Sequence, residues 1–88
     1  MGRNKRPVPA RLASKLYAIR LQLGYSQTEL FKLICAHLAD GQNNYRSIIS
    51  EYELGLRQPS LVETLAYARL VNVSTDVLID DSQDLPFA

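Results

Sequence analysis

The sequence is poor in residues that cross-link a chain or ligate metals, since it contains one cysteine, one histidine and no tryptophan. A single cysteine excludes an internal disulfide and any cysteine-based metal site, and it fits a reducing cytoplasm. We expect Cys35 to be a small apolar packing residue and His37 to bind no metal. No apolar run approaches a membrane span and no signal peptide follows the basic N-terminus, so we expect a cytoplasmic protein.

Catalytic groups are equally scarce. No glycine-rich phosphate loop, carboxylate dyad or nucleophile–base pair is evident, and the only histidine has no evident catalytic role with a serine or cysteine. A chain of 88 residues supports one core but not a cleft between two lobes. We therefore expect a single domain that is not an enzyme and takes no cofactor, metal or evident small-molecule ligand.

Positive charge is concentrated at the start of the chain and negative charge at its end. Six basic residues, the last of them Arg20, stand before the first acidic residue, Glu29. Acidic residues predominate from Glu51 onward. This asymmetry predicts an anionic partner that contacts one face, although a solvated basic tail would explain it equally well.

Two early runs have the apolar spacing of helices. The first begins near Pro9 and ends at Gly24, and its apolar side consists of Leu12, Leu16, Ile19 and Leu23. The second opens with Ser26 and Glu29, the S-x-x-E pattern of a capping box, and is predicted to continue through Leu38. Residues 1–8 are basic and interrupted by proline, and we expect them to form a flexible arm.

The stretch from Tyr45 to Arg57 predicts a third helix with two unlike sides. One side is apolar, with Tyr45, Ile48, Ile49 and Tyr52 at the spacing of a buried face. The other side is polar and carries Arg46, Ser47, Ser50 and Glu51. Asn44 is a suitable N-cap, while Gly55 and Pro59 end the helix.

The remaining sequence predicts two more helices and no strand. A second capping box, Ser60 with Glu63, opens the fourth helix, whose apolar side is predicted as Leu61, Leu65, Ala68 and Val71. Ser74 is expected to cap a short fifth helix, and residues 81–88 to form an acidic tail. The apolar residues left for a subunit interface are Val77, Ile79, Leu85 and Phe87.

Three runs, LYAIRLQLGYSQTEL, ISEYELGLRQPSL and AYARLVNVSTDVLI, together resemble the Cro and phage-repressor type of helix-turn-helix DNA-binding domain. The resemblance covers roughly residues 10–80. It implies an all-α five-helix bundle in which the second and third helices form the motif and the third lies in the major groove. It also implies a homodimeric, sequence-specific binder of double-stranded DNA, such as a transcriptional repressor acting at the nucleoid.

The resemblance further implies roles for individual residues. The DNA-binding candidates are Gln27, Asn44, Tyr45, Arg46, Ser47, Ser50, Glu51 and Arg57, with weaker contributions from Arg3, Lys5 and Arg6 of the arm. Gln27 matches a residue at the start of the second helix that binds a DNA phosphate. Arg57 lies where the family makes further contacts with the DNA backbone. Arg20 and Glu53 match a pair of opposite charges that ties the first helix to the third.

The chemistry of the polar side agrees with DNA recognition in part. Arg46 can donate two hydrogen bonds to a guanine, and the two serines are short enough for close approach. Glu51 would repel phosphate unless it accepts a hydrogen bond from cytosine N4 or is held by an arginine. The spacing from Gln27 to Glu53 is roughly eight residues longer than in the family, which predicts a loop in place of the tight turn.

A protein-interaction module on the same fold, such as an antitoxin-like or adaptor subunit, is the alternative function.

Overall fold

The computed structural model describes residues 9–34 and 47–87. These two ranges contain no strand and five α-helices: Leu12–Leu23 (α1), Gln27–Ile34 (α2), Ser47–Leu54 (α3), Leu61–Leu70 (α4) and Thr75–Ile79 (α5). The predicted all-α architecture of five short helices is confirmed. Within the same ranges, no helix combines the length and the apolar content needed to cross a membrane.

Several predictions fall on residues outside these ranges. They concern the arm, the continuation of the second helix through Leu38, the lengthened loop, the Asn44 cap, Cys35 and His37.

The core forms where α3 packs across α1 and α2, and α4 and α5 complete it. Leu16 and Ile19 of α1, Leu30 of α2 and Ile49 of α3 have no exposed surface. Removing such side chains from water stabilises a fold by about 1.5–3 kcal/mol each. The predicted apolar side of α3 is confirmed for Ile48, Ile49 and Tyr52, all of which are buried. The opposite side of α3 therefore faces outward.

The starts and ends of the helices follow local sequence signals. Both predicted capping boxes are present: Ser26 and Ser60 each exchange two hydrogen bonds with the glutamate three residues later. Gly24 and Gly55 have φ of 76° and 78°, the left-handed conformation that ends a helix. Ser74 stands at the N-cap of α5 as predicted, but its side chain makes no capping hydrogen bond.

The buried side of α4 agrees with the prediction at Ala68 and in part at Val71, but differs at Leu61 and Leu65. Leu61 is 83% exposed and Leu65 is also exposed, while the buried residues are Glu63, Thr64, Tyr67 and Ala68. The capping box turns the Glu63 carboxylate back toward Ser60, where it also accepts a hydrogen bond from the Tyr52 hydroxyl. Because Glu63 then faces α3, Thr64 and Tyr67, one and four positions later on the same side of the helix, face inward with it.

The segment predicted to be an acidic tail packs against α1. Leu85 is 4% exposed and belongs to the core, so it is not available for a subunit interface. The Asp81 carboxylate accepts hydrogen bonds from the backbone N–H groups of Ala10 (2.8 Å) and Arg11 (2.9 Å). The Arg11 guanidinium in turn lies 2.6 Å from a carboxylate oxygen of Asp84. Asp81 thus caps the start of α1, which has no capping side chain of its own.

This cap predicts a pH dependence of stability. The two backbone hydrogen bonds, from Arg11 first and then Ala10, lower the pKa of Asp81. Because the folded pKa lies below the unfolded value of about 3.9, the carboxylate stabilises the fold above that pH and loses its contribution as pH falls through the folded pKa. Asp81→Asn should therefore lower the melting temperature at pH 7 but not at a pH below the folded pKa.

Asp84→Asn is the matched control, because it removes the same charge from an exposed ion pair without touching a backbone N–H group. We expect it to lower the melting temperature less than Asp81→Asn does. Equal melting temperatures for the wild type and Asp81→Asn at pH 7 would show that the cap contributes nothing.

Candidate nucleic-acid interface

The polar side of α3 and the first turn of α2 form one outward surface. Ser47 is exposed, and Ser50 and Glu51 are half-buried, opposite the buried apolar residues of the same helix. Gln27, the first residue of α2, lies beside them. A shallow pocket of about 340 Å³ joins the two helices to α1 and is lined by Tyr17, Arg20, Gln27, Ser50, Glu53 and Leu54.

A bidentate ion pair fixes α3 against α1. Arg20 Nε lies 2.7 Å from Glu53 Oε2, and Arg20 Nη2 lies 3.1 Å from Glu53 Oε1. The side chain of Glu53 is 6% exposed, and Arg20 also donates to the carbonyl oxygen of Tyr25 at 3.0 Å. The hydrogen bond with Glu53 raises the pKa of Arg20, so the guanidinium stays charged. The predicted pairing of Arg20 with Glu53 is confirmed.

The same carboxylate also holds Gln27. Gln27 Nε2 donates to Glu53 Oε1 at 3.2 Å, so one amide hydrogen of the predicted phosphate ligand is used inside the protein. The side-chain carbonyl and the second amide hydrogen are not involved in this bond. Glu53 therefore orients Gln27 and links α2 to α3 in addition to α1.

A second ion pair lies at the exposed end of α3. Arg57 Nε is 2.8 Å from Glu51 Oε1, and the arginine side chain is 58% exposed. The backbone N–H of Arg57 also bonds to the Glu51 carbonyl oxygen, at 3.3 Å, so the turn after α3 brings the two residues together. Arg57 is thus an arginine that holds Glu51, one of the two kinds of partner that the sequence analysis names for this carboxylate.

Three of the six basic residues that precede Glu29 lie in the described ranges, and all three have partners within the fold. Arg11 binds the acidic C-terminal segment and Arg20 binds Glu53. Lys15 is only 3% exposed, and its Nζ donates to the carbonyl oxygens of Val77 (2.8 Å) and Asp80 (3.0 Å) at the end of α5. The start of α1 thus contacts the acidic segment that follows α5.

The remaining positive charge of the described ranges lies elsewhere. Lys32 on α2 and Arg69 on α4 are exposed and form no ion pair with any residue inside 9–34 and 47–87. The other candidate cations, Arg3, Lys5, Arg6 and Arg46, lie outside those ranges, as do Asn44 and Tyr45. The structure therefore brings together Gln27, Ser47, Ser50, Glu51 and Arg57 from the predicted set.

Sequence reasoning missed the internal role of Lys15, although a signal for it exists. Lys15 stands three residues after Leu12 and four before Ile19, on the side of α1 that is buried. A lysine at such a position must reach acceptors inside the protein, and the C-terminal carbonyl groups of a helix provide them.

A scan against protein-family models and searches of curated proteins and of solved structures found no match to this chain.

Proposed function

We propose that this protein binds double-stranded DNA in a sequence-specific manner, as a homodimeric transcriptional repressor with α3 in the major groove. The observation that carries the proposal is the surface formed by Gln27 and the polar side of α3, held to α1 by the Arg20–Glu53 ion pair. A helix with short polar residues on its outward side fits the width of the major groove. A rigid attachment to the rest of the fold is what base recognition by such a helix needs.

The chemistry of base and phosphate contacts divides between several residues. Arg46, directly before α3 in the sequence, supplies the planar donors that match guanine O6 and N7. Arg3, Lys5 and Arg6 precede the described part and supply charge for phosphates. Lys15 and Arg20 are bound inside the fold, and Arg11 is held at the surface by Asp81 and Asp84, so these three are assigned no contact with DNA.

Binding to a library of random duplexes tests this function. Arg46→Ala should weaken binding to the selected sequence by about 1–3 kcal/mol and relax the preference at one base position. Arg69→Ala, which removes an exposed arginine from α4, is the matched control and should leave that preference unchanged. Failure of the wild type to bind any duplex at low salt would overturn the proposal, and a uniform loss with Arg46→Ala would make Arg46 a phosphate ligand.

The dimer in this proposal needs an interface other than the predicted C-terminal one. Leu85 is buried in the core, and Val77 and Phe87 are partly buried against it. Of that predicted set, Ile79 alone is exposed.

A protein-interaction module is the second candidate, and exposed aliphatic residues favour it. Leu54, Leu56, Leu61, Val62 and Leu65 are all exposed within a short stretch that follows the polar side of α3. On α4, Leu65 is a neighbour of both Leu61 and Val62 at helical spacing, so these three form a continuous apolar surface. The duplex titration separates the candidates, because an interaction module would bind no duplex at low salt.

A further inference from the structure

The Glu51–Arg57 ion pair occupies the surface proposed to meet DNA, and it neutralises both residues before any DNA is bound. Nε of Arg57 lies 2.8 Å from the carboxylate. Glu53, the other acidic residue of α3, is buried against Arg20 and cannot exchange partners as readily. The side chain of Arg57 is well exposed, so a phosphate can reach its guanidinium without rearrangement of the core.

We propose that Glu51 is a specificity-determining residue that competes with DNA phosphate for Arg57; this inference rests on the proposed function. A phosphate that binds Arg57 displaces the Glu51 carboxylate and leaves it unpaired near the polyanion. On a matching site the carboxylate can accept a hydrogen bond from a cytosine N4 amino group, which replaces the lost arginine. On any other duplex it stays unpaired, so Glu51 weakens binding to non-specific DNA more than binding to the matching site.

The competition has a characteristic effect on salt dependence. A phosphate neutralised by an arginine releases its condensed cation, which adds about 0.9 to the slope of log K against log salt. In the wild type, Arg57 neutralises one phosphate while the displaced Glu51 carboxylate adds one negative charge beside the duplex, so the local net charge stays nearly the same. Glu51 and Arg57 together should therefore contribute little to the slope.

A double-mutant cycle on the full chain measures this coupling with a random 20-base-pair duplex at several salt concentrations. Glu51→Gln should strengthen binding by about two- to fivefold, the range expected for loss of an exposed ion pair, and steepen the slope by about 0.9 per bound copy. Arg57→Gln should make the slope shallower in both backgrounds, and it should weaken binding more in the Glu51→Gln background, where Arg57 has no carboxylate competing with phosphate. The preference for the selected sequence should fall in Glu51→Gln.

Asp76→Asn is the matched control, since it removes an exposed carboxylate from α5 and leaves α3 intact. It should change the slope little, because a change in net charge alone is not the proposed cause. Thermal unfolding of each variant confirms that the fold is retained, as expected for partly exposed side chains.

The outcomes separate the inference from the function. Additive effects of the two substitutions on the binding free energy, or equal salt slopes in the wild type and Glu51→Gln, would overturn the role of Glu51 while DNA binding stands. If neither the wild type nor any variant binds duplex DNA at low salt, the proposed function is overturned and the inference with it.

Discussion

Replacing Glu53 with alanine should lower the free energy of unfolding by about 3–5 kcal/mol, the range for removing one partner of a buried ion pair. The substitution leaves Arg20 almost buried with its charge, and the remaining hydrogen bond to the Tyr25 carbonyl does not neutralise it. It also leaves the amide of Gln27 without its acceptor. Chemical denaturation followed by circular dichroism measures the difference directly.

Glu51→Ala is the control on the same helix. It removes a carboxylate whose arginine partner is well exposed, and such pairs contribute about 0–1 kcal/mol. We therefore expect a small change for Glu51→Ala and a large one for Glu53→Ala. Similar losses for the two variants would contradict the view that the Arg20–Glu53 pair holds α3 in place.

Truncation after Asp80 should have a comparable effect on stability. It removes Leu85 from the core and the Asp81 carboxylate from the start of α1. Removing the side chain of one buried leucine beyond its β-carbon already costs about 2–5 kcal/mol. This is a large part of the total unfolding free energy of a domain, about 5–15 kcal/mol. The midpoint of urea unfolding should fall accordingly.

Two point substitutions in the full chain separate packing from truncation. Leu85→Ala should reproduce most of the loss, whereas Leu61→Ala, at a position 83% exposed, should change stability by less than about 0.5 kcal/mol. A truncated chain that keeps its stability but loses mass in sedimentation would instead make the C-terminal segment a subunit interface.

Features set by residues within about four positions of one another could be predicted from the sequence. The capping boxes of Ser26 and Ser60, the stop at Gly55 and the buried side of α3 are of this kind, because each depends on the local backbone and on helical spacing. The Arg20–Glu53 pair spans 33 residues, and only the resemblance to a family indicated it.

The predictions that were wrong involve partners distant in sequence. The apolar side assigned to α4 left out Glu63, whose carboxylate is turned back by its capping box and is buried because Tyr52 of another helix donates to it there. The tail assignment missed hydrogen bonds between Asp81 and Arg11, which are 70 residues apart. Composition and spacing carry no information on such pairs. For the candidate site, composition and spacing indicated which side of α3 faces outward. They did not indicate that Gln27 is bound to Glu53 and Arg57 to Glu51.

The hydrogen bonds that join α1 to the C-terminal segment bear on the order in which the chain can fold during synthesis. A nascent chain that has reached α4 contains Lys15 and the start of α1, but none of the acceptors at Val77, Asp80 and Asp81 has yet emerged from the ribosome. A buried ammonium group without acceptors is unfavourable, so α1 cannot dock fully at that stage. Contacts between residues far apart in the sequence also form slowly. The domain should therefore acquire its native packing only after the chain as far as Leu85 has emerged.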